Sequence, residues 1–148
     1  MKLHDVPRNS YVRISDEEVR VPPAAPDVKN EELIFFDHID GMYSFCIKVD
    51  PETLSFGEVC HIAAWTEVSI VELDELFTFE QIRQKIGRSG YGKDGTGEYR
   101  EASLENMSDG WVEGAIDFVP QDHPHLKYYI QELEYRKKNN ISIPDTDA

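Results

Sequence analysis

Apolar and β-branched positions dominate two runs, residues 32–38 and 42–49, that flank Asp40 and Gly41. An Asp-Gly pair between such runs predicts a two-residue type I′ hairpin, because that turn needs φ > 0 at both central positions. With that turn, Ile39 faces Met42, His38 faces Tyr43, Phe36 faces Phe45 and Ile34 faces Ile47. One sheet face then reads Ile34, Phe36, His38, Tyr43, Phe45 and Ile47, an aromatic-rich core face. Residues 11–15 are expected as a first strand, Val19, Arg20 and Val21 as a brief return after the turn at Asp16, Glu17 and Glu18, and 59–65 and 67–71 as two further strands. Pro22, Pro23 and Pro26 cannot donate to a ladder, so 22–26 reads as an exposed extended loop. Several short antiparallel strands of this size suggest a small antiparallel β-barrel or curled sheet of SH3-like size.

After Glu72 the pattern changes. Thr78 and Gln81 have the spacing of a capping box. Phe79, Ile82 and Ile86 mark one helical face behind it, with Gly87 placed as its stop. Residues 88–97, with Gly90, Gly92, Gly95 and Gly97, read as a loop, and 103–109 as a short helical turn. Residues 111–119 fit neither period well and are expected as a strand. The last element is a helix over 122–139, capped by Asp122 with Pro124 in its first turn. Leu126, Tyr129, Ile130 and Leu133 form its apolar stripe. Glu132 with Arg136 and Glu134 with Lys138 are favourable i,i+4 pairs. Arg136, Lys137 and Lys138 suit the C-terminal end of the helix dipole. Residues 141–148 are expected as a mobile tail. The fold class is therefore α+β, in a single domain over 1–148: a β-rich core at 8–73, a mainly helical extension at 74–139 and a flexible tail at 140–148.

Charge sharpens this picture. Fifteen Lys and Arg stand against 29 Asp and Glu, a formal net charge of −14. Residues 1–75 hold 6 cations and 16 anions, for −10, and residues 76–148 hold 9 and 13, for −4. Such a surface repels nucleic acid and anionic lipid and attracts basic partners. Asp16, Glu17, Glu18, Glu31, Glu32, Asp37, Asp40, Asp50, Glu52 and Glu58 would crowd loops and one rim of the sheet, an arrangement able to imitate a phosphate backbone. No apolar run approaches the ~18 residues of a spanning helix. Met1 to Asp5 carry no apolar stretch of signal-peptide type, so an intracellular protein is expected.

Catalytic and ligand-binding signatures are incomplete. Lys93 follows Gly92, but Asp94 stands where a P-loop needs Ser or Thr, and the stretch follows a helix rather than a strand. A surface loop is the ordinary reading; a partner-binding loop carried by Tyr91 and Tyr99 is the alternative. His38 and His61 are expected on one sheet face near Tyr43 and Phe45, with the cysteines on the other, which disfavours a mixed Cys/His metal site. His123, Pro124 and His125 read as a capping region. Cys60 and His61 are adjacent, and adjacent strand residues point to opposite faces. A register pairing Val49 with Gly57 sets Cys46 opposite Cys60. Two reduced, buried thiols are the expectation inside a cell, and a cross-strand disulfide is the alternative.

Met1 to Leu3 with Pro7, Tyr11 to Ile14, Ile39 to Ser44 and His61 to Thr66 resemble small accessory proteins of tailed bacteriophages, which begin with a short strand leading into a compact sheet. The similarity covers the first half of the chain. It implies a viral origin, residence in a bacterial cytoplasm or in the virion, and interference with a host protein; it transfers no catalytic residue. The expected function is thus non-enzymatic recognition of a host or viral protein with a basic surface, without cofactor, metal, membrane or direct nucleic-acid contact. Inhibition of a host protein and mimicry of DNA charge are two forms of it. The expected binding residues are Tyr43, Trp65, Tyr91, Tyr99 and Trp111 as aromatic anchors, and Asp37, Asp40 and Glu58 as steering charges. The alternatives are a virion decoration or connector component, and a small-ligand or nucleotide-binding protein using the loop from Gly90 to Gly97.

Overall fold

Five antiparallel strands carry the first half of the chain: β1 (Ser10–Ile14), β2 (Leu33–Asp40), β3 (Tyr43–Val49), β4 (Phe56–Cys60) and β5 (Val68–Val71). Their order in the sheet is β4-β3-β2-β1-β5. This computed structural model describes residues 1–15, 32–91 and 97–145. The sheet, with the one-turn helix α1 (Leu73–Leu76), makes up a first unit, Met1–Leu76; a second unit spans Phe77–Ala148. The α+β class is observed, but the sheet does not close into a barrel, since β4 and β5 are its two open edges. Residues 16–31, which include the expected proline loop and the return at Val19 to Val21, lie outside the described residues.

The hairpin forms, but one residue further along than the Asp-Gly rule predicts. Asp40 pairs with Tyr43, so Gly41 and Met42 are the central turn residues. Gly41 alone takes a positive φ, +66°, as in a type II′ turn with Gly first. A bulge at Asp37 then shifts the ladder again, so that Phe36 pairs with Cys46 and Ile34 with Lys48. The two shifts redistribute the expected core face, because each one-residue slip sends side chains through the sheet. Ile34 and Phe36 do enter the core, beside Val12, Ile14, Cys46, Cys60, Ile62 and Val68, with Leu3 and Val6 from the N-terminal turn. Phe45 pairs instead with His38, and Ile47 with Phe35.

The strand expected at 59–65 is observed earlier, as β4, and gives out after Cys60. Ser44 shows why. Its hydroxyl donates to Ile62 O (2.8 Å) and accepts from Ile62 N (3.2 Å), so a side chain serves the backbone groups that a ladder would have taken. Cys46 does lie opposite Cys60, although Val49 pairs with Phe56 rather than Gly57. Both thiols are free and buried. Burial pushes Cys46 up to about 12 and Cys60 up to about 11, which suppresses the reactive thiolate.

The second unit runs α2 (Phe79–Lys85), β6 (Gly87–Gly90), β7 (Arg100–Ser103), a 3-10 turn at Leu104–Asn106, α3 (Asp109–Phe118) and α4 (Leu126–Lys138). The capping box at Thr78 and Gln81 is present. Gly87 does not stop α2 by a left-handed turn. It opens β6, where an added Cβ would lie 2.0 Å from Ala102 O, so glycine permits the close approach of β7. Part of the expected glycine loop is therefore a strand, and 92–96 lie outside the described residues. The strand expected at 111–119 is the helix α3: Ser108 accepts from Trp111 N at 3.2 Å as its N-cap, and Val112, Ala115 and Val119 are buried at helical spacing.

Helix α4 begins four residues later than expected, and its buried stripe differs. Tyr128, Tyr129, Glu132 and Arg136 are buried, whereas Ile130 is exposed. Glu132 holds both guanidinium groups. Arg83 Nε and Nη2 donate to it at 2.7 and 2.8 Å, and Arg136 Nε donates at 2.7 Å. Arg136 also donates to Asp109 Oδ1 (2.7 Å) and Leu104 O (2.9 Å). Residues 141–145 are not a free tail: Asp109 N donates to Ile143 O, and Ser142 Oγ and Ile143 N donate to Asp109 Oδ2.

Candidate interaction surface

The first unit presents an aromatic sheet face and an open strand. Tyr11 pairs with both Phe35 and Val71, and Phe35 with Ile47, which in turn pairs with Val59; directly opposed residues share a face. Tyr11 and Phe35 rings meet edge-on at 5.4 Å, and Phe35 meets Phe56 at 5.0 Å. Further along, His38 stacks on Phe45 at 5.7 Å and His61 meets the same ring at 5.9 Å. The expectation that both histidines sit together by Phe45 is met. They flank a ring, and among the described residues no group of three or more His, Cys, Asp or Glu is arranged to hold a metal ion.

Strand β4 ends this face. It is an edge strand, and Phe56, Gly57, Glu58 and Val59 are all exposed, Phe56 to 53% and Val59 to 50%. An edge of this kind offers unpaired backbone groups to another chain. The loop before it is tightly built. Asp50 Oδ1 accepts from Glu52 N (2.8 Å) and Thr53 N (3.4 Å), and Asp50 N donates to Ser55 O. Leu54 takes φ +61° there and buries its side chain, a left-handed conformation costing roughly 1–2 kcal/mol for a non-glycine residue. The edge is thus presented from a preorganised loop.

The expected site residues fall in both units. In the first, Glu58 is exposed on β4 itself. Asp37 occupies the β2 bulge and binds His38 Nδ1. Asp40 is exposed at the hairpin end opposite Tyr43, which is half-buried and bridges to Ala63. Trp65 is 41% exposed between β4 and β5. In the second unit Tyr91 and Tyr99, each 55% exposed, bring their rings within 5.4 Å of each other, and Trp111 is half-buried on α3. The structure thus brings together Asp40 with Tyr43 and Tyr91 with Tyr99. Phe35, Phe56 and Val59 were not anticipated as binding residues. The signal lay in Phe56, Glu58 and Val59 around Gly57, legible only once β4 is known to be outermost.

A second cluster occupies the expected capping region before α4. His123 and His125 rings lie 5.2 Å apart, and both approach Tyr129, at 6.3 and 6.2 Å. Arg88 lies 5.6 Å over the Phe118 ring; burial pushes the Tyr129 phenol up, and the Arg88 guanidinium opposes that rise. Burial, and then the Arg88 charge, lower His123; burial, then His123 and Arg88, lower His125 to about 3. Among the described residues no helix is long and apolar enough to cross a membrane. Comparison of the chain with models of protein families, with curated proteins and with solved structures finds no match to any of them.

Proposed function

We propose that the protein acts by protein–protein recognition, the open β4 edge taking up an extended, basic segment of a partner. The observation that carries this reading is the edge itself: four consecutive exposed residues, with Phe56 beside the Phe35 ring and Glu58 exposed two residues along the strand. Strand addition supplies main-chain hydrogen bonds, and alternate side chains supply specificity. The −10 charge of residues 1–75 favours a basic segment. It also disfavours a second copy, because antiparallel self-pairing about Glu58 would bring like charges together. The strand order, a four-strand meander with the fifth strand returned to the first, supports an SH3-like curl of the sheet. The likeness of the first half to phage accessory proteins supports a host protein as the partner and a host bacterial cytoplasm as the setting.

The test is capture of partners from infected bacterial lysate on immobilised protein, with Phe56→Ala and Glu58→Lys as variants. Capture should fall about tenfold or more for each, since a buried aromatic anchor contributes upward of ~1.4 kcal/mol. It should weaken in ~0.5 M salt, where charge reaches only a few Å. Backbone amides of β4 should gain protection from hydrogen exchange on binding. A partner captured equally well by both variants, or one that protects only the second unit, would refute the edge as the site. Recovery of the protein in purified virions, with no host partner, would favour the virion-component reading.

A further inference from the structure

Cys46 and Cys60 are direct partners in the β3–β4 ladder. Directly opposed residues on antiparallel strands have Cα atoms about 4.5–5.5 Å apart. A disulfide spans Cα separations of roughly 4.4–6.8 Å, so the backbone already stands where such a bond needs it. The two side chains share one side of the sheet, because both enter the same core cluster with Ile34, Phe36 and Ile62. The register is held on either side of the pair. Ile47 pairs with Val59 on one side. On the other, the Ser44 hydroxyl donates to Ile62 O and accepts from Ile62 N. That hydroxyl also lies 3.2 Å from Cys46 Sγ. Both thiols are free. They differ in access: Cys46 is 0% exposed and Cys60 6%. Cys60 is also the last residue of β4, an edge strand of the sheet.

We propose that Cys46 and Cys60 form a redox site that exchanges with low-molecular-weight disulfides such as oxidised glutathione and closes into a cross-strand disulfide, locking β4 onto β3. The Cys60 thiolate attacks one sulfur of the small disulfide. That S–S bond breaks, a mixed disulfide forms on Cys60, and the departing thiolate takes up the proton that Cys60 released. The Cys46 thiolate then attacks Cys60 Sγ. The Cys46–Cys60 bond forms, and the second small thiol leaves with the proton that Cys46 released. Two protein thiols are oxidised, and one small disulfide is reduced to two thiols. Burial raises both cysteines, so the exchange runs through openings of β4 that wet Cys60 first. Register, rather than thiol reactivity, selects this pair. The lock acts on β4 itself, whether or not that strand takes up a partner.

The experiment incubates the whole chain with oxidised glutathione, quenches with acid, alkylates the remaining thiols and weighs the product. The expected product is a monomer lighter by two hydrogens, with neither alkyl label nor glutathione. Hydrogen exchange at Val59 and Cys60 should slow on oxidation. Cys46→Ala should stop at the mixed disulfide on Cys60, because the thiol that resolves it is gone. In glutathione buffers of graded ratio, the equilibrium constant for closing the disulfide should be about 100-fold larger for the folded chain than for the chain in urea, since a bond that stabilises the fold is favoured by the fold to the same degree. Should Cys46→Ala fail to fold, this comparison on the unaltered chain decides. Equal constants in the two states would overturn the proposal. So would a glutathione adduct that persists on the unaltered chain, a disulfide between two chains, or retention of both thiols at equilibrium in a buffer that oxidises the chain in urea.

Discussion

The first unit fills its core with Leu3, Val12, Ile14, Ile34, Phe36, Cys46 and Ile62, and the fully buried polar side chains among its described residues are the small hydroxyls of Ser44 and Thr66. The second places Glu132 and Arg136, 0% and 2% exposed, between Tyr128 and Tyr129 on one side of sequence and Leu104, Asp109 and Arg83 in space. A sheet core of this kind is held by area removed from water and by ladder hydrogen bonds, neither of which responds much to pH or salt. A buried ion network is held only while every partner is present. The two units should therefore fail for different reasons.

The sharpest way to separate them is Glu132→Ala. It leaves Arg83 and Arg136 facing each other without their shared carboxylate, and should cost the second unit about 3–5 kcal/mol. Replacing Glu132 and Arg136 together by Leu and Met should cost far less, because no charge is then stranded. Chemical denaturation monitored by signals from each unit checks both. Equal losses for the single and double variants would mean that shape, not charge pairing, governs this core.

Acid should separate the units next. His125 and His123 both titrate below the ordinary histidine value when folded, His125 near 3. In the unfolded chain each binds its proton near ~6.5. As pH falls from ~6.5 toward ~3, the unfolded state therefore takes up protons that the folded unit refuses. Stability of the second unit drops by up to about 1.4 kcal/mol per pH unit through His125, and His123 acts in the same direction. In the first unit, Glu67 is lowered to about 2, mainly by a hydrogen bond from the Met1 ammonium at 2.8 Å and then by Lys2. A depressed carboxyl contributes above its ordinary value and loses that contribution only as pH falls below it toward 2. Thermal unfolding followed unit by unit between about pH 7 and 5 should show the second unit losing ground while the first holds. Parallel loss in both would break the contrast.

The smallest effect tests local encoding. Thr78→Ala removes half of the capping box and should cost about 1 kcal/mol, confined to the second unit. Hydrogen-exchange protection along α2 measures it. A loss spread evenly over both units would show that α2 is not a local element.

Some features were legible because their causes are local. Thr78 and Gln81 signal a helix start by reaching each other's backbone, and they do so. The apolar runs around Gly41 announce a hairpin, and a hairpin forms. Cys46 and Cys60 could be set opposite each other by register alone. The proposed edge surface was legible only in part. Glu58 and Trp65 were visible as exposed charge and ring, whereas Phe56 and Val59 gained meaning from the outermost place of β4, which no residue near them encodes. Helix α3 is hidden in the sequence because Gly110 and Gly114 blur its period, and Ser108 is its one local signal. The turn slip and the Asp37 bulge were equally hidden, being compromises between two strands and a core rather than properties of either strand.

From the amino-acid order alone came the α+β class, the capped helix, the hairpin, the acid imbalance between the halves and the opposed cysteines, each the product of contacts between near neighbours or of simple counting. Only the tertiary structure decided which side of each element faces inward. Glu132 and Arg136, spaced as an ordinary surface pair, became a core because Arg83 and Asp109, 49 and 27 residues away along the chain, close around them. Burial of charge is a cooperative property of partners far apart in sequence, and it becomes readable when the chain has brought those partners together.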